Sequence, residues 1–292
     1  MAPLGERVAV IGARSPVGSL LAQLTRESGN LSLAVEESSA SVEAIARAAD
    51  VAFLVLPRGE ARELGLALVA RGVRVIDLGG DQRGLAQVPD ALGENAGARA
   101  ALRGKRLLSL PSAAAQAAFL ATSPLLEAKL LVADRLALLL CAGDAIDAST
   151  PLAPSTPGAS LLAEPGTAAE LSFLLEQRRW PALRLTSTLI RAPLARGILL
   201  LALGDLAREE GGSEAELLRA LTEASPPWVR VCRAGEHADT ARVLGSGTAE
   251  VSVSADGFAE RVTVACAVDA VQFSAHAALR ALEFSRAVQA VD

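Results

Sequence analysis

Short apolar runs alternate with amphipathic stretches through the first half of the chain. Arg7–Ile11 has the continuous apolar character of a strand buried on both faces. Val17–Glu27 carries apolar residues at helical spacing, and Leu31–Val35 predicts a second strand. The pattern repeats with a helix at Val42–Ala49, a strand at Val51–Leu56, a helix at Glu60–Arg71 and a strand at Val73–Leu78. Leu107–Leu110 predicts a further strand, followed by a helix from Ala113 to about Leu126. Strands separated by helices at this spacing predict a parallel sheet with right-handed crossovers.

The second half changes rhythm. Leu136–Cys141 is strand-like, and a loop rich in Ser, Thr, Pro and Gly runs from Asp147 to Pro165. Thr167–Gln177 reads as a helix, Leu183–Arg191 alternates like a strand, and Gly197–Arg208 is a long apolar run. Ser213 starts a charged helix reaching Ala224, with Glu216 at the capping-box position. Strands at Thr248–Val253 and Arg261–Val268 flank a turn at Ala255–Gly257, and a helix of roughly Ala275–Val288 closes the chain. The fold expected is a Rossmann-type α/β domain over 1–112, then an α+β domain over 113–274 with a mixed or antiparallel sheet. Residues 275–292 are expected to pack back on the first domain.

Composition narrows the function classes. The 292 residues carry 28 basic and 33 acidic side chains, a net charge of −5. No basic run exceeds two residues and tyrosine is absent, which argues against nucleic acid as a partner. Three cysteines (Cys141, Cys232, Cys266) and two histidines (His237, His276), all far apart, suggest neither a disulfide framework nor a metal site. The longest apolar stretches are too short for a membrane span, and the first residues lack the pattern of a signal peptide. A cytoplasmic location is expected.

One motif carries candidate chemistry. In VAVIGARSPVG, Gly12 ends the first strand and Gly18 begins the first helix. Such a turn lets a dinucleotide diphosphate meet a helix N-terminus. The cofactor-binding candidates are Gly12, Arg14, Ser15, Val17, Gly18 and Glu36. Ser15 stands where a middle glycine is common. Glu36 lies 24 residues beyond Gly12, where a carboxylate accepts from a ribose hydroxyl and repels a 2′-phosphate, so NAD is favoured over NADP. Equally open is an alternative in which the turn only packs helix on sheet and no cofactor binds.

Several segments together resemble the semialdehyde dehydrogenases, the family of aspartate-semialdehyde dehydrogenase and N-acetyl-γ-glutamyl-phosphate reductase. They are the glycine turn, FLVLPRGEA (Phe53–Ala61), VIDLGGDQR (Val75–Arg83), SLPSAAAQAAFLATSPL (Ser109–Leu125), GTAAEL (Gly166–Leu171), IRAPLARGILL (Ile190–Leu200) and DAVQFSAHAALRALEF (Asp269–Phe284). The resemblance implies NAD(P)-dependent reduction of an acyl phosphate, with a cysteine thiolate as nucleophile and a histidine as acid/base. It also implies a homodimer built through the second domain.

The positions that should carry this chemistry are changed. The cysteine position falls on Ala113. The histidine position falls on Thr167 in the reductase pattern and on Ile198 in the dehydrogenase pattern. Arg83, Glu170, Arg191 and Arg196 lie where the resemblance places phosphate or substrate binding, and they read alternatively as surface charges or structural ion pairs. Cys141, His276, Ser109 and Ser112 are the remaining chemical groups near the motifs, and no base is evident to activate a serine. Two functions are expected. One is a catalytically degenerate member with a binding, regulatory or structural role, with or without a protein partner. The other is an oxidoreductase with altered chemistry acting by direct hydride transfer.

Overall fold

The computed structural model describes residues 5–37, 41–85, 88–143, 160–162, 166–178, 180, 184–194, 196–207 and 213–286. The chain divides into two compact units at Ser112/Ala113 and again at Phe273/Ser274, the last segment belonging with the first unit.

The first unit is a parallel sheet. Its strands are β1 (Glu6–Ile11), β2 (Leu31–Glu37), β3 (Val51–Leu54), β4 (Arg74–Asp77) and β5 (Leu107–Ser109), in the order β2-β1-β3-β4-β5. Helices α1 (Pro16–Glu27), α2 (Val42–Ala48), α3 (Ala61–Ala70) and α4 (Ala96–Leu102) connect them. β3 is buried at all four positions, as its unbroken apolar sequence requires. The connection from β1 goes to one side of the sheet and that from β2 to the other, which makes the carboxyl ends of β1 and β3 a topological switch point.

The second unit holds a seven-stranded mixed sheet. Its strands are β6 (Leu136–Ala142), β7 (Ser160–Leu162), β8 (Leu185–Arg191), β9 (Gly197–Asp205), β10 (Val229–Val231), β11 (Ala249–Asp256) and β12 (Arg261–Asp269). They run in the order β10-β11-β12-β9-β6-β8-β7. Its helices are α5 (Ala113–Glu127), α6 (Thr167–Glu176), α7 (Glu214–Ala224) and α8 (Thr240–Val243), and α9 (Ala270–Ser285) follows β12 directly. α5 is buried from Ala113 to Leu126, which explains its alanine-rich sequence: small side chains let a helix be covered on every side. α7 has the expected capping box between Ser213 and Glu216.

Three corrections arise. Ser160–Leu162, expected within a loop, pairs with β8 as a short strand; the rest of the expected loop from Asp147 to Pro165 lies outside the described residues. The closing helix begins at Ala270 rather than near Ala275. α4, β10 and α8 are too short to show a period and were not expected. Ends of three expected elements (183, 208 and 287–288) lie outside the described residues.

One face of the second sheet is apolar without being fully covered. Along β6 and β9 alternate residues are buried, whereas Leu139, Cys141, Leu199, Leu201 and Leu203 are half-buried. The register sets Leu201 beside Leu139 and Ala265, and Leu203 beside Ala137 and Thr263. Part of this face is closed by the segment around α8, where Ala238 and Val243 pack on Ala267 with Leu199 and Ala265.

An ionic knot ties that segment down. Buried Glu250 accepts from Arg230 at 2.7 Å and from Arg242 at 2.9 Å, and Arg230 also donates to Glu236 at 2.9 Å. Burial alone would raise the Glu250 pKa, but hydrogen bonds from Arg242 and Arg230 hold it below the usual value. The Arg230 hydrogen bond carries Glu236 down to about 2. Both carboxylates are depressed, so their contribution is in place above the ordinary carboxylate pKa of about 4.3 and is lost as pH falls from there toward 2. Urea midpoints should therefore drop between about pH 4.5 and 2. Glu236→Gln should flatten that drop; an unchanged acid profile in this variant would contradict the assignment.

Candidate functional site

The glycine turn is built by close backbone approach. Gly12 has φ +91°, and a Cβ there would lie 1.9 Å from the Val55 carbonyl oxygen. A Cβ on Gly18 would lie 2.2 Å from the Gly12 carbonyl oxygen. Both glycines are thus required by packing of β1, β3 and α1. Ser15 caps α1: its hydroxyl accepts from Gly18 N–H at 3.0 Å and donates to the Gly12 carbonyl at 2.9 Å. Pro16 occupies the first helical position. Ser15 and Val17 are buried and Arg14 is exposed. Glu36, at the end of β2, is paired with Arg26 of α1.

The loops after β3 and β4 are wired together by side chains. The Asp81 carboxylate accepts from Gly59 N–H and Ala61 N–H, both within 2.9 Å, which caps α3 from outside its own sequence. Gln82 donates to the carbonyls of Ala61 and Arg62, both at 3.0 Å. Buried Asp77 accepts from Gly79 and Gln82, both at 2.9 Å, and burial raises its pKa. Arg83 donates to the Leu110 carbonyl at 3.1 Å and lies 3.7 Å from the Asp90 carboxylate. Asp77, Asp81 and Gln82 were not singled out from the sequence. Their signal was there, since Asp81 and Gln82 immediately precede Arg83 in the same polar turn.

In the second unit Ala113 is the first residue of α5 and is 3 % exposed. A helix N-terminus is where a thiolate would be stabilised, and here the side chain is a methyl group. Thr167 is the buried first residue of α6, preceded by Gly166 at φ +89°. Glu170 sits buried in the same turn. Ile198 is buried within β9, paired with Ala142 and Val268. The register runs Arg191, Ala142, Ile198 and Val268 across neighbouring strands in one row. Arg191 and Ile198 therefore lie at one end of the sheet, and Arg196 immediately precedes the β9 start there. Arg196 lies 3.4 Å from Asp269, whose buried carboxylate also accepts from Gly245, Val271 and Gln272 N–H. Asp269, the cap of α9, is a fourth polar residue not singled out from the sequence.

The three thiols are all shifted away from reactivity. Burial raises Cys141 and Cys232, and pushes Cys266 up to about 12. His276 lies on α9 with its pKa lowered by burial and by Arg280. His237 is in the loop before α8. Among the described residues no group of His, Cys, Asp and Glu is placed to hold a metal, and no helix is long and apolar enough to cross a membrane.

No protein-family model matches the chain. It is 31 % identical over 251 residues to N-acetyl-γ-glutamyl-phosphate reductase of Leifsonia xyli, covering 75 % of this chain and 71 % of that one. It is 29 % identical over 291 residues to the protein of the same name from Pseudarthrobacter chlorophenolicus, covering 90 % and 82 %. Aspartate semialdehyde dehydrogenase II of Vibrio cholerae shares its fold with a TM-score of 0.76 at 15 % identity, over 96 % of this chain and 98 % of that one. The Candida albicans aspartate semialdehyde dehydrogenase solved with NADP gives 0.75 at 14 % identity, over 95 % and 98 %. The chain belongs to the semialdehyde dehydrogenase family.

Proposed function

We propose that this chain keeps the scaffold of its family without the thiol chemistry, and serves as a binding, regulatory or structural member. The observation that carries this reading is the methyl group of Ala113 at the start of α5, where the resemblance places a nucleophilic sulfur. Acyl transfer of this kind needs a thiolate that attacks and later leaves. None of the three cysteines is placed at a helix N-terminus, and burial raises the pKa of each. Thr167 and Ile198 supply no imidazole at either position expected for the acid/base group. Arg83 and Arg196 are engaged with Asp90 and Asp269, which supports a structural use of these cations. The solved NADP complex of a similar fold supports a nicotinamide dinucleotide as the ligand for which this lineage is shaped, and such a group supplies hydride when bound.

Acylation tests the reading without needing a nucleotide. Wild-type protein mixed with N-acetyl-γ-glutamyl phosphate should show no acyl adduct by intact mass. A stable adduct on wild-type cysteine would contradict the reading. Ala113→Cys should acquire one, because the helix N-terminus favours the thiolate.

The same reading includes a homodimer through the second unit. It is supported by the half-buried leucines of β6 and β9, since an apolar sheet face of this kind calls for cover. The 29.9 kDa chain should sediment at twice its mass. Leu201→Glu should shift it to monomer, because a charge at the centre of such a face would be buried without a partner. A monomeric wild-type protein would remove this part of the proposal.

A further inference from the structure

The Gly12–Gly18 turn has the outline of a diphosphate site, but most of its donors are already engaged. Diphosphate is held at a helix N-terminus by bare backbone N–H groups. Gly12 and Ala13 N–H donate to the Glu37 carbonyl at 2.9 and 3.3 Å. Ser15 N–H donates to the Gly12 carbonyl at 3.0 Å, and Ser19 N–H to the Ser15 carbonyl at 2.9 Å. Gly18 N–H is taken by the Ser15 hydroxyl at 3.0 Å. Pro16 has no N–H. Of the amides from 12 to 19 this leaves Arg14 and Val17, and Val17 is 1 % exposed.

We infer that Ser15 and Pro16 seal this turn, so that the chain does not bind NAD or NADP through it: backbone pairing takes four of its donors, and these two residues remove two more, at positions 16 and 18. The two act by different means. Proline deletes a donor outright. Serine satisfies the Gly18 donor from within and puts a side chain where the backbone must be bare. Ser15 is itself 8 % exposed and held at both ends of its hydroxyl, by Gly18 N–H and the Gly12 carbonyl. The glycines do not argue against this, because Gly12 and Gly18 are each required by backbone contact alone. Glu36 is likewise occupied, by Arg26. Each lost hydrogen bond to a charged oxygen weakens binding by about ten- to a hundredfold, so two lost donors are enough to abolish a micromolar site.

This inference is independent of the missing thiol, because the acylation readout above needs no nucleotide. Calorimetric titration of the full-length protein with NAD⁺, NADP⁺ and their reduced forms tests it. Wild type should give no binding heat up to about millimolar ligand. Ser15→Gly/Pro16→Ala should bind at least about a hundredfold more tightly than that limit. Pro16→Ala alone retains the serine cap and the stability of α1, and it should also gain. A wild-type Kd below about 1 mM would overturn the inference. So would folded variants that bind no better than wild type.

Discussion

Gly12→Val is expected to leave no folded first unit at 37 °C, at a cost of at least about 4 kcal/mol. Three effects add. A branched side chain at φ +91° is in a region closed to it. The Cβ would meet the Val55 carbonyl oxygen at 1.9 Å, and that oxygen belongs to backbone that cannot swing aside. Relief would require pulling β1 from β3, the two strands at the centre of the parallel sheet's switch point. Gly59→Ala is the control. Gly59 also has positive φ, +98°, but a Cβ there meets nothing within 4 Å. It should cost only the backbone strain, about 1–2 kcal/mol. Thermal unfolding followed by circular dichroism separates the two. Equal effects would show that conformation and not backbone approach explains Gly12.

Asp269→Ala is expected to cost about 3–5 kcal/mol. The Asp269 carboxylate is fully buried and accepts three backbone N–H groups, two in the first turn of α9 and one from Gly245 at 2.9 Å. Loss of a helix cap alone costs about 1 kcal/mol. The larger part comes from the Gly245 N–H and the Arg196 guanidinium, which lose their carboxylate partner. Asp269→Asn preserves one oxygen and the shape, and should recover about half. Urea unfolding checks both. A cost below about 1 kcal/mol for Asp269→Ala would mean that Arg196 is held by something else, and would reopen it as a ligand-binding group.

These effects show which parts of the molecule the sequence discloses. β1, β3 and α1 were legible because burial on both faces and helical spacing each leave a distinct pattern, and Gly12 and Gly18 marked their junction. The sheet order of the second unit was not legible. β9 reads as one long apolar run because both of its faces carry leucine or alanine, so nothing in it distinguishes the helix-covered face from the open one. The start of α9 was missed for a related reason: Val271 and Phe273 continue the apolar character of β12, and Asp269 was passed over as a cap. The knot at Glu250 joins residues up to twenty positions apart, which no local period reveals. At the candidate site the sequence shows directly that 113, 167 and 198 are alanine, threonine and isoleucine; that these are the positions of the cysteine and histidine is what the resemblance implies. What needed the structure was the state of the polar groups that remain: Arg83 and Arg196 held by carboxylates, Cys232 and Cys266 buried with Cys141 half-buried, and the serine of the glycine turn satisfying the Gly18 amide.

The central claim is that this chain has lost the reaction of its family, and turnover is its most direct test. Purified wild-type protein is incubated with N-acetyl-γ-glutamyl phosphate and NADPH or NADH, and the nicotinamide absorbance is followed. The same is done in reverse with the aldehyde, phosphate and oxidised nucleotide. The account predicts no rate above buffer in either direction. A protein-dependent rate that disappears in Cys141→Ser would contradict it, because it would place a working nucleophile at a thiol outside the expected position, whose pKa partial burial raises.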